Sequence, residues 1–148
     1  MSAILPGHPK QKLLFAIVSD LDEAVRTGMK TLVHELAASR QWVIAPPCFV
    51  ESKEEPQDIS GNDVALETVG GYLEIYSAWS PWKVPRDIDL QHLDEVEGLV
   101  GALRDLSRRW KLEIEFELDG KFVGAIVEGE MDRLLSVGLL DEWRRHLK

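Results

Sequence analysis

The residues best placed to do chemistry in this sequence are five glutamates. Three of them alternate with apolar residues, and two lie on either side of a double glycine. They are Glu67, Glu74, Glu113, Glu115 and Glu117. Carboxylates gathered on one surface could steer a basic partner, share a proton in acid–base catalysis, or ligate Mg²⁺ or Ca²⁺. Which chemistry applies depends on the elements that position them.

Common catalytic motifs are not found in the sequence. It contains no HExxH, no Cys/His pair at zinc spacing, no glycine-rich phosphate loop and no G-x-S-x-G. On a helix His92 would not face Asp94, so the two are not expected to form an acid–base pair. His92 precedes Leu93 of the apolar stripe and is interpreted as a helix-flank residue. We therefore assign no catalytic residue, cofactor or metal ligand, and whether the chain is an enzyme stays open.

Composition narrows the class of protein further. The chain has 148 residues and a formal net charge of −9, from 26 acidic and 17 basic residues. This excess disfavours binding to nucleic acid or to anionic membranes, which needs Lys and Arg. One cysteine, Cys48, excludes an internal disulfide, and its apolar neighbours predict a buried, inert thiol.

The length of the chain predicts a single α+β domain over residues 1–148, and the lack of a recognisable targeting signal predicts a cytoplasmic location. The first residues lack the basic region of a secretory signal. The first apolar run, residues 13–18, is far shorter than the roughly 20 residues of a membrane span. Residues 51–62 combine turn formers with charges and are predicted to form an exposed loop.

The first element has two interpretations. Apolar residues recur every three or four positions from Leu14 to Leu36, which favours one long helix from about Lys10 to Ser39. The alternative is a strand over residues 12–18, followed by a shorter helix capped by Ser19 or Asp20.

The remaining elements are predicted to be strands, hairpins and two further helices. Prolines 46 and 47 place a strand over residues 42–50 at a sheet edge. Hairpins are predicted around Gly70-Gly71 and Asp119-Gly120. Apolar stripes predict helices over residues 87–111 and 132–147, the second broken near Gly138. The expected fold is an antiparallel sheet of about five strands, with three helices packed mainly on one face.

Hairpin arithmetic places the glutamates on the outer face of that sheet. A turn at Gly70-Gly71 would set Glu67 opposite Glu74, and this repulsion would need a compensating cation. A turn at Asp119-Gly120 would set Phe116 opposite Val123. It would orient Glu113, Glu115 and Glu117 outward, opposite Ile126, Gly124 and Phe122 in that order. The predicted partner-binding face is formed by Glu67, Glu74, Glu113, Glu115, Glu117, Tyr72, Tyr76 and Phe122.

Three functional hypotheses follow from this layout. The first is a non-catalytic acidic protein that binds a basic protein partner, since exposed aromatic residues and uncompensated charge suit docking. The second is a small-molecule-binding domain or enzyme with a site near Tyr76, Trp79 and Trp82. The third is a homodimer formed through the same face or through the edge strand near Pro46-Pro47.

In size, acidic balance and α+β layout the chain resembles bacterial immunity proteins, which neutralise secreted toxins. No sequence motif carries this resemblance. It implies an antitoxin or immunity role as the sharpest form of the first hypothesis.

Overall fold

Strands in the described part of the chain form one antiparallel sheet. The computed structural model describes residues 7–18, 21–54, 66–77 and 83–147, without the side chains of residues 52–54 and 66–67. The strands are β1 (Lys10–Ile17), β2 (Cys48–Glu54), β3 (Leu66–Tyr76), β4 (Glu113–Leu118), β5 (Lys121–Val127) and β6 (Glu130–Met131). Their order across the sheet is β2-β3-β1-β4-β5-β6. The predicted α+β class is confirmed, with six described strands in place of about five.

The helices are α1 (Glu23–Ala38), α2 (Arg86–Trp110), a π-helix (Leu134–Asp141) and α3 (Glu142–His146). Helix α1 packs against β2 and β3, α2 contacts β4 and β5, and the π-helix lies against β5. The predicted final helix is present but winds as a π-helix for its first two turns. Gly138 lies within that π-helix, so the chain is irregular there and not broken.

Alternating side chains of the strands form the core between the sheet and the helices. On β1, Leu13, Phe15 and Ile17 are buried. They pack with apolar residues of β4 and the helices, among them Ile114, Phe116, Met29, Val33, Leu99 and Leu103. The other side of the sheet is called the outer face below.

The favoured interpretation of the N-terminal segment as one helix is wrong, and the alternative is confirmed in outline. Strand β1 ends at Ile17 and α1 begins at Glu23. The cap of α1 is Asp22, whose carboxylate accepts a hydrogen bond from the Val25 amide at 2.8 Å. Ser19 and Asp20, the predicted caps, lie outside the described residues.

The Gly70-Gly71 hairpin prediction is also wrong. Residues 66–76 form one continuous strand that pairs with β1 on one side and β2 on the other. Glycine is needed there for close packing, since a Cβ at Gly70 would lie 1.9 Å from the Phe15 carbonyl oxygen. The edge position predicted for this strand is confirmed, but Pro46 and Pro47 precede it and do not lie within it, because β2 begins only at Cys48. Residues 51–54 of the predicted loop belong to β2, and residues 55–62 lie outside the described residues.

The Asp119-Gly120 hairpin is confirmed, with a change of register. Both turn residues have positive φ, 53° and 79°, as a two-residue type I′ turn requires. Glu117 pairs with Phe122 as predicted. A bulge then shifts the ladder, so that Phe116 pairs with Gly124 and not with Val123.

Candidate functional site

The outer face is organised in rows of side chains that run across the strands. One row contains Cys48, Tyr72, Leu14, Glu117 and Phe122, which follow one another as register partners from β2 to β5. The next row, two residues along, contains Val50, Gly70, Ala16, Glu115 and Ala125. The middle positions of this row are Gly70, which has no side chain, and Ala16, whose side chain is a methyl group. The row therefore projects less far from the sheet than the rows on either side of it.

This low row forms an open trough in the outer face. The space above it encloses about 310 Å³. Its lining residues are Leu14, Phe15, Ala16, Val18, Val50, Thr68, Gly71, Glu115 and Glu117. The trough therefore has apolar walls and two carboxylates at one end.

Within the described residues, Glu115 and Glu117 have no cationic partner. Neither forms an ion pair within the described residues, and Glu117 is exposed while Glu115 is half-buried. Glu113 lies on the same strand face, opposite Val127. The predicted outward orientation of these three glutamates is confirmed. The carboxylates of Glu115 and Glu117, which form no ion pair within the described residues, are available for a ligand.

Glu74 lies at a different level of the same face. Its register partner on β1 is Lys12, whose ammonium lies 4.6 Å from the centre of the Tyr72 ring. Glu67 is on the same strand as Glu74, and its backbone register partner on β2 is Lys53. The predicted opposition of Glu67 and Glu74 is therefore wrong, because the two belong to one strand.

Exposed apolar side chains accompany the carboxylates. Leu14 is 37% exposed, Val18 46%, Phe122 48% and Val127 45%. These four are half of the eight large apolar side chains that are exposed in the described residues. These four side chains lie on the same face of the sheet as Glu115 and Glu117.

Cys48 lies at the edge of this face and is exposed, so the prediction of a buried thiol is wrong. The alternation of the edge strand places it beside Tyr72. The pKa of Tyr72 is raised above its ordinary value, chiefly by a hydrogen bond with Cys48 and by the negative charge that the Cys48 thiolate carries. Slight desolvation and the charge of Glu74 raise this pKa further.

We expect Cys48→Ala to lower the pKa of Tyr72 towards its ordinary value of 10.0, because the largest cause of the increase is removed. The phenolate signal of Tyr72, followed by NMR during an alkaline titration, measures this shift. An unchanged Tyr72 titration would contradict the Cys48 contact.

Tyr76 belongs to a different cluster from the predicted face. Its ring lies 5.3 Å from that of His8 and 5.7 Å from that of His92, between ring centres. His8 Nε2 lies 2.6 Å from the Ser77 carbonyl oxygen. Trp79 and Trp82, the other residues of the predicted small-molecule site, lie outside the described residues.

His92 and Glu95 form a buried pair that sequence reasoning missed. Both side chains are 1% exposed, and His92 Nδ1 lies 3.2 Å from Glu95 Oε1. The Tyr76 amide donates to His92 Nε2 at 3.2 Å, so the ring proton resides on Nδ1 and is donated to Glu95. Glu95 Oε2 accepts from the Val43 amide at 2.7 Å. Interpreting His92 as a flank residue was wrong; its i, i+3 spacing to Glu95 was the available signal.

The pair joins three parts of the fold and is buried, with both side chains 1% exposed. It connects α2 to the end of β3 and to the segment before β2. Its hydrogen bonds are all internal, which indicates a positioning role in the fold. The described residues contain no group of three or more potential metal ligands.

A larger groove of about 850 Å³ lies between α1 and α2, on the opposite side of the molecule. Its lining mixes small residues with both signs of charge, including Gly28, Glu35, Ala102, Asp105, Arg109 and Trp110. Nothing in the described residues indicates what would occupy it, so no function is assigned to it.

Among the helices that the structure describes, none is long and apolar enough to cross a membrane.

Comparisons with known proteins add little to this geometry. No protein-family model matches the sequence, and a search of curated proteins finds no match. A phage SAM lyase solved in complex with S-methyl-5′-thioadenosine is similar at a TM-score of 0.34 and 14% identity, over 90% of this chain and 97% of that chain. Similarity at this level assigns neither fold nor function.

Proposed function

We propose that this protein is a non-catalytic binding protein whose outer sheet face docks a basic protein partner. The observation that carries the proposal is that Glu115 and Glu117 form no ion pair with any residue the structure describes and lie among exposed apolar side chains. An immunity or antitoxin role would be one instance of such a function.

Charge and apolar area support different stages of docking. The net charge of −9 attracts a basic protein over a distance and raises the association rate. Leu14, Val18, Phe122 and Val127 then lose water on contact, which stabilises the complex by roughly 25 cal/mol per Å² of apolar area removed from water. Carboxylates around such an apolar centre select for cations in the partner.

The test compares the wild-type protein with Glu115→Lys/Glu117→Lys as immobilised baits. We expect the wild type to retain a basic protein, identified by mass spectrometry, and the variant to lose it. With the purified partner, association with the variant should be at least about tenfold slower at low salt, because steering charges contribute factors of this size. Raising the salt concentration should reduce the difference, because the Debye length shortens.

The matched control is Glu35→Lys/Asp105→Lys, which changes the net charge equally in the groove between α1 and α2. It should retain the same partner as the wild type. Equal retention by Glu115→Lys/Glu117→Lys, or no specific retention by the wild type, would contradict the proposal. Loss with the control variant alone would move the binding site to the helical side.

A further inference from the structure

We infer that the trough is an anchor site for one arginine side chain of the partner, an inference that rests on the proposed function. The trough is the low row of the outer face, containing Val50, Gly70, Ala16 and Glu115. Its shape, its depth and its charge each support this occupant.

The width of the trough excludes a helix. Its walls on β1 are Leu14 and Val18, four residues apart, which corresponds to about 13 Å between Cα atoms. The side chains of Leu14 and Val18 take up part of these 13 Å. The width that remains between them is less than the diameter of a helix with its side chains, which is about 10–12 Å. One long side chain, inserted at the level of Ala16, fits the remaining space.

Gly70, the middle residue of the low row, carries no side chain that could enter the trough. A Cβ at Gly70 would meet the Phe15 carbonyl oxygen at 1.9 Å and the Ala16 Cα at 2.8 Å. The close approach of β1 to β3 therefore prevents a side chain at this position. Val50 lines the trough on one side and Glu115 and Glu117 on the other, so the site is apolar at one end and anionic at the other.

Arginine matches both ends of this site. Its methylene stem can lie along Leu14, Ala16 and Val18 while its charged head meets the carboxylates. Glu115 and Glu117 are two residues apart on one strand face, about 6.5–7 Å between Cα atoms. A planar guanidinium with five donors can hydrogen-bond to both carboxylates, whereas a lysine ammonium is a compact and strongly hydrated charge.

The probes are capped pentapeptides, Gly-Gly-Arg-Gly-Gly and its lysine counterpart, titrated into the labelled protein and followed by NMR. We expect the arginine peptide to shift the amides of Gly70, Ala16 and Glu115 and to bind about tenfold more tightly than the lysine peptide, as one additional charge-assisted hydrogen bond would give. Ala16→Leu should weaken binding at least about tenfold, because its side chain fills the trough.

Ala102→Leu, the same substitution in the groove between α1 and α2, is the matched control and should bind like the wild type. If Ala16→Leu does not fold, Glu115→Gln carries the test and should also weaken binding about tenfold. Equal affinity for the two peptides, or unchanged binding by folded Ala16→Leu, would overturn the arginine site. The proposed function fails separately, when Glu115→Lys/Glu117→Lys retains the basic partner.

Discussion

Gly124→Ala should lower the free energy of unfolding by about 3–5 kcal/mol, the combined size of backbone strain and an overpacked core. Gly124 has a φ of 140°, which side chains other than hydrogen rarely allow. A Cβ there would also lie 2.4 Å from the Leu135 Cβ and 2.6 Å from its amide nitrogen. Either β5 or the π-helix would have to move, and the two pack directly together.

Urea denaturation monitored by tryptophan fluorescence measures this effect. The matched control is Gly101→Ala, in the interior of α2, where an added Cβ meets nothing within 4 Å. That variant should be more stable than the wild type by about 0.5–1 kcal/mol, because alanine favours a helix over glycine. If the two alanine variants change stability alike, the close contact between β5 and the π-helix is wrong.

The bulge next to Gly124 also shows where sequence reasoning about the hairpin ended. Asp119-Gly120 and the alternation of β4 predicted the turn, both strands and the outward glutamates. Alternation alone could not predict that Gly124 adopts a conformation that inserts one extra residue into β5. Glu117 was therefore paired correctly, and Glu115 was set opposite Gly124 when it lies opposite Ala125.

The double glycine was misread for a related physical reason. Glycine tolerates both tight turns and close backbone contacts, and one sequence does not distinguish these uses. As a turn, Gly70-Gly71 placed Glu67 opposite Glu74; within β3, Gly70 instead lies too close to the β1 backbone for a side chain, and Gly71 lines the trough. The trough could not be predicted, because it depends on the non-local neighbours Ala16 and Val50.

Local periodicity predicted α2 well, because 25 residues repeat one apolar stripe. It misled at β1, where strand alternation over residues 13–17 merges with the stripe of α1, so the longer helical pattern was preferred. Sequence patterns also failed to predict which polar residues are buried. His92 was interpreted as a helix-flank residue, although the backbone amides of Tyr76 and Val43 supply the His92–Glu95 pair with partners that no local pattern contains.

That buried pair leads to the second large effect. Glu95→Ala should lower the free energy of unfolding by about 2–6 kcal/mol, the sum for two buried donors that lose their shared acceptor. The substitution leaves the Val43 amide and His92 Nδ1–H without their acceptor, in a site where both side chains are 1% exposed. Each buried donor without a partner contributes about 1–3 kcal/mol of this loss.

Glu95→Gln should fall between the wild type and Glu95→Ala, because its amide oxygen can accept from one of the two donors while its NH₂ group opposes the other. The neighbouring Asp94→Ala is the control for a lost carboxylate on α2. Asp94 is exposed and paired with Arg40 at 2.7 Å, and such surface pairs contribute at most about 1 kcal/mol. Chemical denaturation should therefore rank the variants Asp94→Ala, Glu95→Gln and Glu95→Ala in decreasing stability. If Glu95→Ala were as stable as Asp94→Ala, the pair would not hold α2 to β3 and the segment before β2, and the end of β3 would need another anchor.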